Sequence, residues 1–125
     1  RFFYLGVVSE SETYDLFQKG RAHLKRGMPA QATVSLEKAK RREPEKASIR
    51  EALGIAYFRL RRYQEAESEF RALVDLSPAD DYAHYGLGRA LEKLGRTSEA
   101  RGHLKLAHSL RPGSEHYAER LRALE

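Results

Sequence analysis

The chain has 125 residues, of which 41% are hydrophobic and 33% charged, and a formal net charge of +5. That length suits one domain with one modest core, and that balance excludes a disordered chain. Cysteine is absent, which excludes disulfides, a thiol nucleophile and any cysteine-ligated zinc or iron–sulfur centre, and fits a reducing cytoplasm, the expected location.

The N-terminal segment 1–12 opens on an apolar run, Phe2 to Val8. The run is too short to span a bilayer and lacks a signal cleavage pattern, so no membrane insertion is expected. Two readings of this segment stand side by side. Bulky aromatics and paired valines favour an extended strand. Phe2 and Leu5 also fall 34 residues before Leu36 and Ala39, which would make the segment the tail of an upstream repeat. Either way residues 2–8 want cover, from the first repeat or from a second copy in a homo-oligomer. The chain begins with Arg1 rather than Met, so a longer gene product is expected.

A 34-residue step organises everything that follows. Pro44, Pro78 and Pro112 keep it, as do Gly20, Gly54 and Gly88. So do Ala22, Ala56 and Ala90, and Ala32, Ala66 and Ala100. Apolar columns run beside them: Leu36, Phe70, Leu104, and Ala39, Leu73, Ala107. The step predicts units at 13–46, 47–80 and 81–114.

Each unit reads as two helices. In the second, Ile49, Leu53, Ala56, Tyr57 and Leu60 recur at three- and four-residue steps, one face of a helix. A turn follows near Arg61 and Arg62, and then Ala66, Phe70, Leu73, Val74 and Leu76 mark the partner helix. Pro78 ends it, lacking a backbone donor and disfavouring helix in the residue before it. Gly27 and Gly95 fall at the equivalent turns, and Pro29 suits a first helical turn. A helical glycine costs about 1 kcal/mol relative to alanine. The Gly20, Gly54, Gly88 column is therefore expected to gain close contact with the Ala32, Ala66, Ala100 column.

The period, the stretch Leu53, Gly54, Tyr57, the later Ala66, Phe70 and the closing Pro78 resemble a tetratricopeptide repeat (TPR). The resemblance covers Thr13 to Ser114 and is weakest in the first copy, where Lys19 stands for Leu53 and His23 for Tyr57. It implies an all-α fold, a right-handed α-solenoid of antiparallel hairpins. Such stacks need about three repeats and a lid. Tyr117, Ala118, Leu121 and Leu124 form one stripe within 115–125, which reads as a C-terminal capping helix, with Glu119, Arg120, Arg122 and Glu125 facing water.

No catalytic constellation is present, so an enzyme is not expected, nor is a cofactor. His103 and His108 stand five apart rather than the three or four that place two ligands on one helix face, so no metal is expected. His23 and His84 read as satisfied packing histidines. Glu65, Glu67 and Glu69 read as a solvated helix face, and Asp80 and Asp81 as acids favoured ahead of a helix.

The resemblance also implies a concave groove lined by the first helix of each repeat. In the first repeat its residues are Tyr14, Phe17, Gln18, Arg21 and Lys25. In the second they are Glu51, Ala52, Ile55 and Arg59, and in the third Tyr82, Tyr85, Gly86, Arg89 and Lys93. Tyr, Phe and Arg concentrate binding energy at interfaces. Arg21, Arg59 and Arg89 read as a ladder of guanidiniums suited to carboxylates. Some members grip the C-terminal carboxylate of chaperones in a clamp whose basic and amide residues fall here on Phe17, Arg21, Ala52, Tyr82 and Gly86. Only Arg21 keeps a charge, so that clamp is not expected.

The leading expectation is thus a scaffold, one module of a larger bacterial assembly, that binds an acidic or amphipathic protein or peptide. Nucleic-acid binding is the first alternative. The first repeat carries nine Lys and Arg against four acids, with a run from Lys38 to Arg42. A self-associating structural module is the second.

Overall fold

Proline every 34 residues stops one helix of each pair, and a left-handed turn residue stops the other. The computed structural model describes the backbone of residues 2–125 and the side chains of residues 12–125. The helices are α1 (Phe2–Lys25), α2 (Pro29–Arg42), α3 (Ala47–Arg59), α4 (Tyr63–Leu76), α5 (Asp81–Lys93), α6 (Thr97–Leu110) and α7 (Glu115–Arg122). No strand occurs among the described residues. Helices α2, α4 and α6 start 34 residues apart, as do α3, α5 and α7.

Residues 2–12 are helical and continuous with α1. The extended conformation favoured by their valines and aromatics does not form, and no turn separates them from the first repeat. Strand preference depends on context, and extending a helix is easier than starting one. The side chains of 2–11, and with them the self-association expected through 2–8, lie outside the described residues.

Turns within the hairpins share one geometry. Gly27, Arg61 and Gly95 adopt φ of 72°, 60° and 80°. The next amide bonds back five residues: Met28 N to His23 O at 2.8 Å, Arg62 N to Tyr57 O at 2.9 Å, Arg96 N to Leu91 O at 3.0 Å. This is the Schellman closure, which satisfies the last helical carbonyls. Between hairpins, Glu43, Ser77 and Arg111 cap α2, α4 and α6 ahead of their prolines in one shared non-helical conformation, with φ of −136°, −142° and −139°, since proline disfavours helix in the residue before it. Asp80 and Ser114 cap α5 and α7 by accepting from Tyr82 N and Tyr117 N, a contact that satisfies an orphan amide.

Each helix packs on its chain neighbour, and α3 also touches α1 and α5. The first helices of the hairpins therefore stand side by side along one face. The core runs the length of the stack through Leu36, Leu53, Phe70, Leu87 and Leu104, all buried. Full burial of such side chains is worth about 1.5–3 kcal/mol each. Leu76, expected in that core, is 38% exposed.

Two packing expectations change. The glycine column meets the large residues of the second helix most closely. A Cβ at Gly20 would lie 2.5 Å from Leu36, one at Gly54 2.8 Å from Phe70, and one at Gly88 2.9 Å from Leu104. At Gly88 the expected alanine column is also in contact, through Ala100 O at 3.2 Å. The glycines make room for a bulky side chain to cross between the helices. Glu67 and Glu69 are buried rather than solvated; neighbouring helices bring cations to Glu69, and Glu67 is paired within its own helix. Glu69 accepts from Lys40 at 2.7 Å and Arg50 at 2.9 Å. Glu67 pairs with Arg71, which also reaches Glu99 at 2.8 Å.

Candidate functional site

Residues on α1, α3 and α5 that point away from the hairpin core converge on the face these helices share. One recess there is lined by Phe17, Arg21, Lys25, Glu51, Ile55 and Arg59, with Leu24, Ser48 and Ala52. A second, of about 230 Å³, is lined by Ile55, Phe58, Arg59, Phe70, Tyr82, Tyr85, Gly86 and Arg89. Ile55 and Arg59 line both, so the two recesses adjoin across these side chains. Tyr14 lines a separate hollow with Phe17, Ser48 and Ile49. It is 60% exposed and its hydroxyl accepts from Gln18 Nε2 at 2.6 Å. Lys93 is exposed and lines none of these hollows.

The guanidinium ladder is two columns, not one. Arg21 and Arg89 are two repeat steps apart with Ile55 between them, whereas Arg59 shares its step with Lys25 and Lys93. Each arginine has its own support. Arg21 sits 5.6 Å from the Phe17 ring centroid and Arg89 5.7 Å from that of Phe58. Arg59 Nη1 donates to Leu24 O at 3.0 Å. Arg89 Nε is buried, lies 3.4 Å from Glu92 Oε1 and makes no hydrogen bond. Burial, with Asp80 nearby, raises the pKa of Glu51 against the pull of Arg21. Burial likewise raises the Tyr82 hydroxyl, helped by Glu51 and Tyr85 and opposed by Arg59. Arg21, Lys25, Arg59 and Arg89 outnumber Glu51 along these recesses, so the groove is predominantly cationic.

An aromatic series continues from the second recess to the capping helix. Phe70 and Tyr82 meet edge-on with centroids 6.3 Å apart, Tyr82 and Tyr85 at 5.8 Å, and Tyr85 stacks on Tyr117 at 5.0 Å. Tyr85 Oη bonds His116 Nε2 at 2.6 Å, and Tyr117 Oη donates to Asp81 at 2.7 Å. Sequence reasoning placed Phe58, Ser48, His116 and Tyr117 elsewhere or nowhere. The signal was available. Ser48 and His116 continue the 34-residue step of Tyr14 and Tyr82, and Phe58 is three residues after Ile55 on the same helix.

Outside the groove, the Lys38–Arg42 run is partly spent. Lys40 bonds Glu69, and Arg42 pairs with Glu12 at 2.8 Å. Arg120 of α7 does not face water alone, since it pairs with Glu92 at 3.0 Å. His84 is buried and satisfied by Pro78 O and His103. His23, expected to be satisfied, has a buried Nδ1 with no hydrogen-bond partner. Among the described residues no three His, Asp or Glu side chains gather as a metal site. Among the described residues no helix is long and apolar enough to cross a membrane.

Three stacked hairpins, a lid and a shared inner face define an α-solenoid of the right-handed helical-hairpin class. The tetratricopeptide repeat family matches residues 17–81 and 56–115, and the chain belongs to that family. It is 34% identical over 83 residues to mouse Superkiller complex protein 3, a match covering 66% of this chain but only 5% of that protein. Its fold resembles the first TPR domain of human RPAP3, with a TM-score of 0.82, 25% identity, and 90% and 88% of the two chains covered. It also resembles the first TPR of Spaghetti (RPAP3) bound to the HSP90 peptide SRMEEVD, with a TM-score of 0.86, 24% identity, and 91% and 90% covered.

Proposed function

We propose that residues 13–46, 47–80 and 81–114 act as three repeats closed by 115–125, and that their concave face binds an acidic or amphipathic segment of another protein. One observation carries the reading. Phe17, Arg21, Lys25, Glu51, Ile55, Arg59, Tyr82, Tyr85 and Arg89 line two adjoining recesses. Cations outnumber the single carboxylate there, and aromatic walls supply apolar area. Peptide binding by a similar fold in the Spaghetti domain supports the same use of this face. The chemistry differs from a carboxylate clamp, because Phe17, Ala52, Tyr82 and Gly86 offer neither cation nor amide. The partner is therefore recognised through aromatic contact and guanidinium pairing rather than by a chaperone-tail clamp.

Affinity capture from source lysate tests this, comparing the parent chain with the triple variant Tyr82→Ala, Tyr85→Ala, Arg89→Ala. The variant is expected to lose the parent's principal partner while keeping its helical circular dichroism. An unchanged partner set would show that the groove is not the binding surface.

A further inference from the structure

We propose that the recess between α3 and α5 is a single-side-chain socket for an aromatic or branched apolar residue that has a carboxylate on a neighbouring residue of the partner segment. The proposal rests on the groove reading and deepens it. Its first support is Gly86. This glycine is outside the small column, since Gln18 and Ala52 stand at its earlier steps. It weakens a helix that already carries Gly88, at about 1 kcal/mol per glycine. A Cβ at Gly86 would lie 2.4 Å from the Phe70 ring, and one at Gly54 2.8 Å from it. The two glycines therefore let the Phe70 ring lie between α3 and α5 as the floor of the recess. Ile55, Phe58, Tyr82 and Tyr85 form half-buried walls above it.

Size and charge narrow the occupant. At about 230 Å³ the recess is smaller than the roughly 300 Å³ at which small-molecule pockets begin. It suits one side chain rather than a helix face or a cofactor. Its only charged lining residues are Arg59 and Arg89. Arg89 has an Nε without a hydrogen bond, beside the misaligned Glu92 carboxylate. That Nε is closed to a partner, but the guanidinium keeps 16% of its side-chain exposure, and a partner carboxylate meeting its open edge forms a charge-assisted bond. The adjoining stretch adds Arg21 and Lys25 against Glu51, so the same preference extends along the groove.

The test is an amide-resolved NMR titration of the 15N-labelled chain with three blocked pentapeptides. The first is acetyl-Gly-Glu-Phe-Glu-Gly-amide, the second has alanine in place of phenylalanine, and the third has glutamine in place of both glutamates. The first is expected to shift the amides of Ile55, Gly86 and Arg89, and the other two to bind at least about tenfold more weakly. Arg89→Gln is expected to reduce binding of the first peptide to that of the third. Gly86→Ala should abolish the Gly86-centred shifts, and Arg89→Gln keeps the test valid if Gly86→Ala does not fold. Equal binding of the phenylalanine and alanine peptides, or no shift at Gly86 at millimolar peptide, overturns the socket. Shifts confined to Arg21, Lys25 and Glu51 overturn the socket and leave the groove standing. Shifts confined to other faces, or none at all, overturn both.

Discussion

Arg50 and His84, one repeat step apart, each donate a hydrogen bond to the carbonyl of the proline six residues earlier. Arg50 Nε reaches Pro44 O at 2.9 Å, and His84 Nε2 reaches Pro78 O at 2.7 Å. Their partners on the following helix also stand one step apart. Arg50 Nη1 meets Glu69 at 2.9 Å, whereas His84 Nδ1 meets His103 Nδ1 at 3.1 Å in a stacked pair. Pro78 O only accepts, so His84 donates from Nε2. A cation–anion contact in the second repeat thus becomes a contact between two imidazoles in the third.

That replacement makes the third hairpin acid-sensitive. Burial lowers the pKa of His103 below the ordinary 6.5, reinforced by His84 and Arg71 and opposed by Glu99. Arg71 is itself held by Glu67 and Glu99. A lowered histidine pKa means the unfolded chain binds more protons between the folded value and 6.5. Stability is therefore full above pH 6.5 and falls as the pH drops through that window. Thermal melts from pH 7.5 to 5 should show a smaller decline for His103→Gln than for the parent chain. Parallel curves would mean that the pair does not couple to folding.

Glu69 has the opposite character. Its carboxylate is 5% exposed and holds Lys40 of the first hairpin and Arg50 of the second. Glu69→Ala would leave two cations facing each other in a confined space. Breaking a buried pair costs about 3–5 kcal/mol. Lys40 and Arg50 keep a fifth of their exposure, so a loss of about 2 kcal/mol is expected. Urea denaturation should show it as a lower midpoint. A loss within about 0.5 kcal/mol, usual for surface substitutions, would mean that water already screens the cluster.

Glu69 also marks where sequence reasoning stopped. The period, the helix pairs, the turns and the lid were legible because each rests on local chemistry repeated at a fixed step. Glu69 looked solvated because Glu65, Glu67 and Glu69 read as a charged run, and nothing local reveals that Lys40 arrives from the preceding hairpin. The main glycine contacts were hidden for a related reason. Small residues suggest close helix approach, but only packing reveals that Leu36, Phe70 and Leu104 fill the space. Within the groove, face periodicity found the residues of α1, α3 and α5. His116 and Tyr117 required carrying the same step into the cap, past the point where the repeat pattern fades.

Arg61 is the one described non-glycine residue with positive φ, and Gly27 and Gly95 occupy its place in the other repeats. A left-handed residue with a Cβ costs about 1–2 kcal/mol, part of which glycine returns through its larger unfolded-state entropy. Arg61→Gly is therefore expected to stabilise the chain by about 0.5–1 kcal/mol. Among the described residues its side chain makes no ion pair to set against this. Chemical denaturation should show a higher midpoint with unchanged slope, whereas a lower one would mean that Arg61 contributes contacts worth more than its backbone strain.

Alanine at two helical glycines should shift stability in opposite directions. Gly102 lies inside α6, exposed, with nothing within 4 Å of a Cβ built there. Its replacement should recover helix propensity, about 1 kcal/mol, and raise the melting temperature by a few degrees. Gly54 lies inside α3, where the same Cβ would meet three atoms of the Phe70 ring at 2.8 to 2.9 Å. The ring has little room to retreat toward α5, where a Cβ built at Gly86 would lie 2.4 Å from it. Overpacking costs about 1–3 kcal/mol and outweighs the propensity gain. Gly54→Ala should thus lower stability by about 1 kcal/mol and, if the ring is forced toward α5, alter binding in the recess above it. If Gly54→Ala instead stabilised the chain as much as Gly102→Ala, the Phe70 ring would not be confined between the two glycines, and the floor of the socket would be mobile.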